Sequence, residues 1–296
     1  MATTVQSSTP VPTPTPVRNP SKSRFTLRSL SLVVLFLILA FLFVTPLYWM
    51  TLSSVRPQDE IFTSGANPIP ANPTLDNYQE LFNETPYVKW FRNSVVQSLG
   101  YSVVTVTICT MGGFAIAKYK FPFRNTLFVI ILLSQMIPFH LVIVALFKMI
   151  IDLKMVDTIW GAILPLAAHP IGIFFMRQNI IGIEDEMLDA ARVDGANEYQ
   201  LFYRIVVPNV RPAIATLLIL FSLEYWNNLL WPLIVFRSPD NMPLAVGLST
   251  LVNQYFSRFD LVMAGSALAT LPIAVLFIFL RRQFMEGFAA TGTGIK

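Results

Sequence analysis

Charged side chains and the residues of metal and redox chemistry are both scarce in this chain of 296 residues. Asp, Glu, Lys and Arg make up 13% of it, where a soluble domain uses roughly 25% to cover its water-facing surface. With 24 phenylalanines and 54% hydrophobic residues besides, and a mean hydropathy of +0.58, a soluble enzyme is excluded. The single cysteine, Cys109, rules out an internal disulfide and a cysteine-based metal cluster. Two histidines leave little for zinc, and neither H-E-x-x-H nor G-x-x-x-x-G-K-S/T occurs, so there is no phosphate-cradling Walker loop. Nothing in the chain hydrolyses ATP, and it is expected to hold neither cofactor nor metal.

What is abundant is apolar length. A membrane-spanning helix needs about 20 mainly apolar residues, because the hydrocarbon is about 30 Å thick and each residue rises about 1.5 Å. Six stretches reach that length: 30–52, 93–117, 125–150, 158–179, 212–236 and 260–280. The basic leader before the first (Arg18, Lys22, Arg24, Arg28) resembles a signal peptide, but the apolar run is too long and no A-x-A site follows. It reads as an uncleaved first span facing lipid. Residues 1–29, with a Thr-Pro repeat from Thr9 to Pro16, read as a disordered tail.

With the N-terminus inside, 14 of the Lys and Arg residues fall in inside segments and 7 outside. That split puts both termini, including the tail 283–296, in the cytoplasm. Lys118, Lys120, Arg124, Arg281 and Arg282 read as interface anchors rather than as a nucleic-acid surface. In the outer loop 53–92, Leu75, Tyr78, Leu81 and Phe82 share one helical face after Thr74, which predicts a short interfacial helix. The Gly113–Ala117 and Gly265–Ala269 pairs predict close helix approach.

The inside segment 183–211 is the most informative. On one face of a helix lie Ile183, Met187, Ala190 and Ala191; on another lie Asp185, Asp189 and Arg192. Gly195 supplies a left-handed stop. Asn197, with Gln200 three residues on, starts a second helix, which Pro208 is expected to end. The result is two short helices at a bend. Two readings are open: a solvated linker between spans, or an element whose small residues and carboxylates dock against a basic partner cleft.

A resemblance favours docking. Asp189-Ala190-Ala191, Gly195 and Ile205-Val206-Val207-Pro208 resemble the EAA loop of ATP-binding cassette (ABC) importer permeases, with Asp189 for the usual Glu and Val207 for the usual Leu. Asn77-Tyr78, Phe121-Pro122-Phe123-Arg124, Val193-Asp194-Gly195-Ala196, Trp226-Asn227-Asn228, Leu230-Trp231-Pro232-Leu233 and Met263-Ala264-Gly265 resemble the carbohydrate-uptake, maltose-permease-like branch. The likeness covers roughly residues 30–290.

It implies an all-α membrane protein with six transmembrane helices of the type I importer kind, residues 30–282, and a cytoplasmic coupling helix. Glu186, Asp189, Ala190, Ala191, Arg192, Asp194, Gly195 and Pro208 would couple to an ATPase. The partners implied are a second permease subunit, two ATP-binding subunits that hold ATP and Mg, an extracytoplasmic solute-binding protein, a carbohydrate and membrane lipid.

Glu224 is the one acid in the interior of a span, near the middle of the fifth. An intramembrane carboxylate suggests a transport path; a Glu that hydrogen-bonds between helices explains it equally. Tyr225, Trp226, Asn227 and Asn228 follow it, and aromatic faces with amides suit sugar recognition. A Trp near the end of a span is also ordinary anchoring, which is how Trp231 reads. His140 and His169, each beside a proline, read as partners for proline-freed carbonyls, and Cys109 reads as a packed hydrophobe. The alternative to an ATP-driven permease is a secondary transporter coupled to protons through Glu224; it calls for more buried acids and an internal repeat than the sequence offers.

Overall fold

The computed structural model describes residues 27–63, 67, 69–255 and 258–292. Most of the expected N-terminal tail and residues 293–296 lie outside them, as do the side chains of Arg281 and Arg282. The chain divides into two compact units, Met1–Pro46 and Leu47–Lys296. Every regular element among the described residues is helical.

Helix α1 (Leu27–Ser53) continues through Pro46. In the outer loop come α2 (Gln58–Thr63) and α3 (Asp76–Glu84), then the long α4 (Tyr87–Lys118). Two bent pairs follow: α5 (Arg124–Ser134) with α6 (Phe139–Asp152), at 101°, and α7 (Ile159–Leu166) with α8 (Pro170–Ile181), at 58°. The inside corner is α9 (Asp185–Val193) and α10 (Glu198–Asn209), the latter meeting α11 (Arg211–Trp226) at 81°. Then come α12 (Leu230–Val235), α13 (Leu244–Tyr255) and α14 (Phe259–Gly292). Among the described residues three helices are long and apolar enough to cross a membrane alone, and up to six spans result when each bent pair counts as one.

Three expected spans are therefore not single helices. Proline has no N–H and disfavours helical φ/ψ in the residue before it. Pro138, itself outside helical ψ at 132, stands in the break between α5 and α6, and His169, before Pro170, is accordingly extended at φ −89, ψ 111. The fifth span, expected as 212–236, stops at Trp226, where two asparagines compete with the backbone ladder: Asn227 Nδ2 donates to the Leu223 carbonyl (2.8 Å), and Asn228 Oδ1 accepts from Trp231 N (3.3 Å). The sixth begins at Phe259 and stays helical to Gly292, beyond the expected end at 280.

α4 is the axis of the second unit, packing along both α8 and α11. Its small residues set the spacing. A Cβ at Gly113 would lie 2.8 Å from Arg177 N, and one at Gly172 would lie 2.6 Å from Cys109 Sγ and 2.9 Å from Phe221 Cζ. Cys109 is fully buried there, as expected, and its thiol donates to the His169 carbonyl (3.4 Å).

The outer helix α3 packs on α14: Leu81 is fully buried beside Tyr87, Trp90 and Leu261 while Leu75 and Phe82 stay exposed. Asn77 Nδ2 donates to the carbonyls of Ser54 (2.9 Å) and Arg56 (2.8 Å), and Arg258 joins Glu80 to Asp260. Arg258 holds the Glu80 carboxyl below the usual range.

Gly113→Val should drive α4 and α8 apart, since the nearest atom is backbone. Overpacking of this kind costs about 1–3 kcal/mol. The midpoint of thermal inactivation in detergent should fall by several degrees, while Gly182→Ala, whose new Cβ meets nothing nearer than 3.6 Å, should leave it unchanged.

Candidate functional site

Two constructions stand out, one at the inside corner and one where helices break. At the corner, α9 closes as the sequence predicts. Gly195 has φ +85, Gly195 N donates to the Arg192 carbonyl and Ala196 N to the Ala191 carbonyl (both 3.0 Å). These two bonds form the Schellman closure that a left-handed glycine permits. Asn197 and Gln200 form a reciprocal capping box, each side chain bonding the other's backbone N–H at 2.9 Å.

The residue that seats α9 was missed: Leu188 is 1% exposed in the core, with Ile183 beside it and Ala191 partly packed. Glu186, Asp189, Ala190, Val193 and Asp194 are exposed. Leu188 belongs to neither of the faces drawn from the periodicity; its being a large apolar residue one place before the acid was the available signal.

Pro208 does not end α10. The helix widens into a π turn over Phe202–Val206 and runs on to Asn209. A proline inside a regular helix clashes with the carbonyl four residues back, and a wide turn relieves that contact. Phe202 in the wide turn rests against Phe114 of α4 (5.8 Å between ring centres).

Charges fix the corner to α4. Lys118 is not an interface anchor: its side chain is 6% exposed, and its ammonium donates to the Ile181 and Ile183 carbonyls and pairs with Asp185 (2.7 Å). Arg192 pairs with Asp189 (2.8 Å) and with Glu198 (3.1 Å), and Glu198 accepts from the Tyr119 hydroxyl. Lys118 and Arg192 hold the Asp185 and Glu198 carboxyls below their ordinary range. Burial, with Glu198 second, pushes the Tyr119 hydroxyl up to about 12.

The second construction is a cleft of about 580 Å³, lined by Tyr101, Ser134, Gln135, His169, Glu224 and Asn228 among apolar residues of α6 and α7. Glu224 stands two residues before the end of α11, not in the middle of a span, because the helix stops at the asparagines. His169 Nε2 faces its carboxylate at 3.6 Å, and His169 Nδ1 is buried without a partner. His169 thus faces an acid and not a freed carbonyl. His140 is exposed, its ring against Phe139.

Of the five residues 224–228, only Glu224 and Asn228 line the cleft. Tyr225 is core, 2% exposed, its ring 5.0 Å from Tyr101 and its hydroxyl donating to Gln97 Oε1 (3.4 Å). Trp226 meets Phe91 edge-on at 5.7 Å and lines a separate apolar groove of α4, α11 and α14; Asn227 is exposed. Trp231 is no anchor either: it is fully buried, and its indole N–H donates to the Ala162 carbonyl (3.1 Å). Ser134, Gln135 and His169 were missed as a group, although the nearby prolines marked the breaks that expose them.

A family model described as "Binding-protein-dependent transport system inner membrane component" matches residues 108–286, from α4 into α14. The chain belongs to this family. It is accordingly a permease component of a binding-protein-dependent transport system and is not itself an enzyme. It is 37% identical over 273 residues to the arabinooligosaccharides transport system permease protein AraQ of Bacillus subtilis (strain 168), covering 91% of this chain and 97% of that one. It is 31% identical over 248 residues to the lactose transport system permease protein LacG of Rhizobium radiobacter, covering 84% and 90%. A solved chain of a bacterial ABC transporter involved in import of the acidic polysaccharide alginate has a similar fold, with a TM-score of 0.73 at 21% identity, over 90% of this chain and 99% of that one.

The permease's corner pairs lower the carboxyl pKa values, so their contribution is complete above the ordinary carboxyl range and lost as pH falls through the lowered values. A spin label at the exposed position 193 should keep one mobility from about pH 5 to 8 and loosen below about pH 4. Lys118→Met should loosen it at every pH.

Proposed function

We propose that this permease is one of two membrane subunits of an ATP-driven importer for a sugar or related polyol, with both termini cytoplasmic and α9 as its coupling helix. The other parts are a second permease subunit, two ATP-binding subunits that hold ATP and Mg, and an extracytoplasmic solute-binding protein. The relatives named for arabinooligosaccharides and lactose support a sugar, as does a cleft that mixes hydroxyl, amide and carboxylate groups with apolar surface.

The observation that carries the coupling role is the build of the corner. Leu188 seats α9, Gly195 and the capping box fix the bend, and Arg192 is held between Asp189 and Glu198. The exposed face with Glu186, Ala190 and Val193 is thereby presented rigidly. An ATPase that binds this face differently in its open and closed forms shifts the bundle between two states. Pro208 acts through the π turn, passing the movement of α9 to α11. A proton-coupled carrier has less support, because Glu224 is the only acid lining the cleft among the described residues.

Ala190 separates docking from internal packing, since it is exposed whereas Ala191 packs inward. Ala190→Trp should leave the permease folded but lower ATPase retention and sugar-stimulated ATP turnover at least tenfold. The Asp189–Arg192 pair is exposed and contributes about 0–1 kcal/mol in the free chain. If a partner cation buries against Asp189, losing the carboxylate costs about 3–5 kcal/mol, so Asp189→Ala should weaken assembly and Asp189→Lys should weaken it further. Co-purification of each variant with its ATPase decides this; wild-type retention in all three would mean that the corner is only a linker.

A further inference from the structure

Among the described residues the cleft lining includes neither Lys nor Arg, and Glu224 is its one formally charged side chain. The Glu224 side chain is 49% exposed and is part of the cleft lining.

His169 stands beside it, Nε2 3.6 Å from Glu224 Oε1. A buried N–H without an acceptor is rarer than a buried acceptor without a donor. With Nδ1 buried and unpartnered, the arrangement that wastes least puts the His169 proton on Nε2, the nitrogen facing Glu224.

The opposing effect is the N-terminal ends of α6 and α8, which open on the same space and each bring about half a positive charge. Those fractional charges are spread over a first turn and fade within it, whereas Glu224 brings a carboxyl group of its own to the cleft lining.

We propose that Glu224 makes this cleft charge-selective, accepting hydrogen bonds from the hydroxyls of an uncharged sugar and rejecting acidic ones. This rests on the sugar-permease reading and goes beyond it, since the alginate importer with the similar fold serves an acidic polysaccharide. That likeness shows the fold alone and leaves substrate charge to be read from this chain's own residues.

The test uses the assembled transporter in liposomes, with Cys109→Ser and Ser134→Cys placing one thiol in the cleft lining. Ser134 is a mild site, because its hydroxyl bonds only the Ile131 carbonyl of its own helix (2.6 Å). A trimethylammonium-ethyl and a sulfonato-ethyl methanethiosulfonate are reacted in parallel, each rate being divided by that reagent's rate with a free thiol in solution.

The cationic reagent should be favoured about tenfold. The preference should shrink toward unity in Glu224→Gln and, with Glu224 intact, in high salt. A ratio at or below one with Glu224 present would mean that the helix ends dominate, and would overturn the proposal. A ratio that Glu224→Gln leaves unchanged would overturn it as well. Sugar uptake by the same liposomes tests the other reading separately: charge-selective labelling without uptake of any sugar overturns the sugar importer and not the charge preference.

Discussion

A backbone N–H or C=O in hydrocarbon has no water to bond, so a spanning chain can leave its helix only where protein or a wet cavity satisfies the freed groups. That constraint organises this permease. The chain breaks between Ser134 and Phe139, between Leu166 and Pro170, and between Trp226 and Leu230. Ser134, Gln135 and Ile137 from the first break, Leu166, Ala168 and His169 from the second, and Asn228 from the third all line one cleft. Where carbonyls near the breaks face protein, side chains meet them: the Cys109 thiol at His169, the Trp231 indole at Ala162 and the Tyr101 hydroxyl at Leu166 (3.5 Å). The polar interior of the bundle is thus a consequence of where its helices stop.

What keeps those breaks in register is the contact of α4 with α8 and α11, closed by glycine at 113 and 172. Interfaces in membranes rely on such small residues, because lipid supplies no hydrophobic drive to press helices together. The same α4 ends at Lys118, whose ammonium caps the carbonyls beyond α8 and pairs with Asp185 at the start of α9. One helix therefore links the floor of the cleft to the inside corner. A displacement of α9 has a stiff route to the broken segments, with the π turn of α10, against Phe114, as a second one.

The parts legible in the sequence were those fixed by local backbone chemistry. Gly195 and the Asn197–Gln200 box act within a few residues, so their spacing alone specified the corner. Gly113 marked a close approach, whereas Pro138 and Pro170 stood at the breaks although the spans around them read as continuous helices. Glu224 was conspicuous because a carboxylate in an apolar run is costly. The parts that were not legible depend on which way a residue faces. In a nearly all-apolar segment, periodicity separates inside from outside poorly, since lipid and protein interior are equally dry. Trp231 therefore read as an anchor and is core, and Tyr225 read as a sugar platform and packs on Tyr101; Leu188 went unnoticed for another reason, lying in the charged helix α9 between the two faces drawn from its periodicity. Pro208 misled for a different reason: a wide turn let the helix pass it.

The same reasoning explains why Glu224 and His169 had to be seen together. They are 55 residues apart, His169 at the start of α8 and Glu224 near the end of α11, and meet where these helices pack on each other, the His169 ring 4.8 Å from Phe221. Each has an adequate local explanation alone, the Glu as an interhelical hydrogen-bonding group and the His as a partner for a carbonyl freed by proline. Only their juxtaposition, with one imidazole nitrogen sealed away and the other turned to the acid, converts two unremarkable residues into a charge placed at the meeting point of three helix breaks. Among the described residues that line the cleft, Glu224 alone carries a formal charge and its side chain is half exposed, so the proposed charge preference rests on one side chain whose setting the sequence could not display.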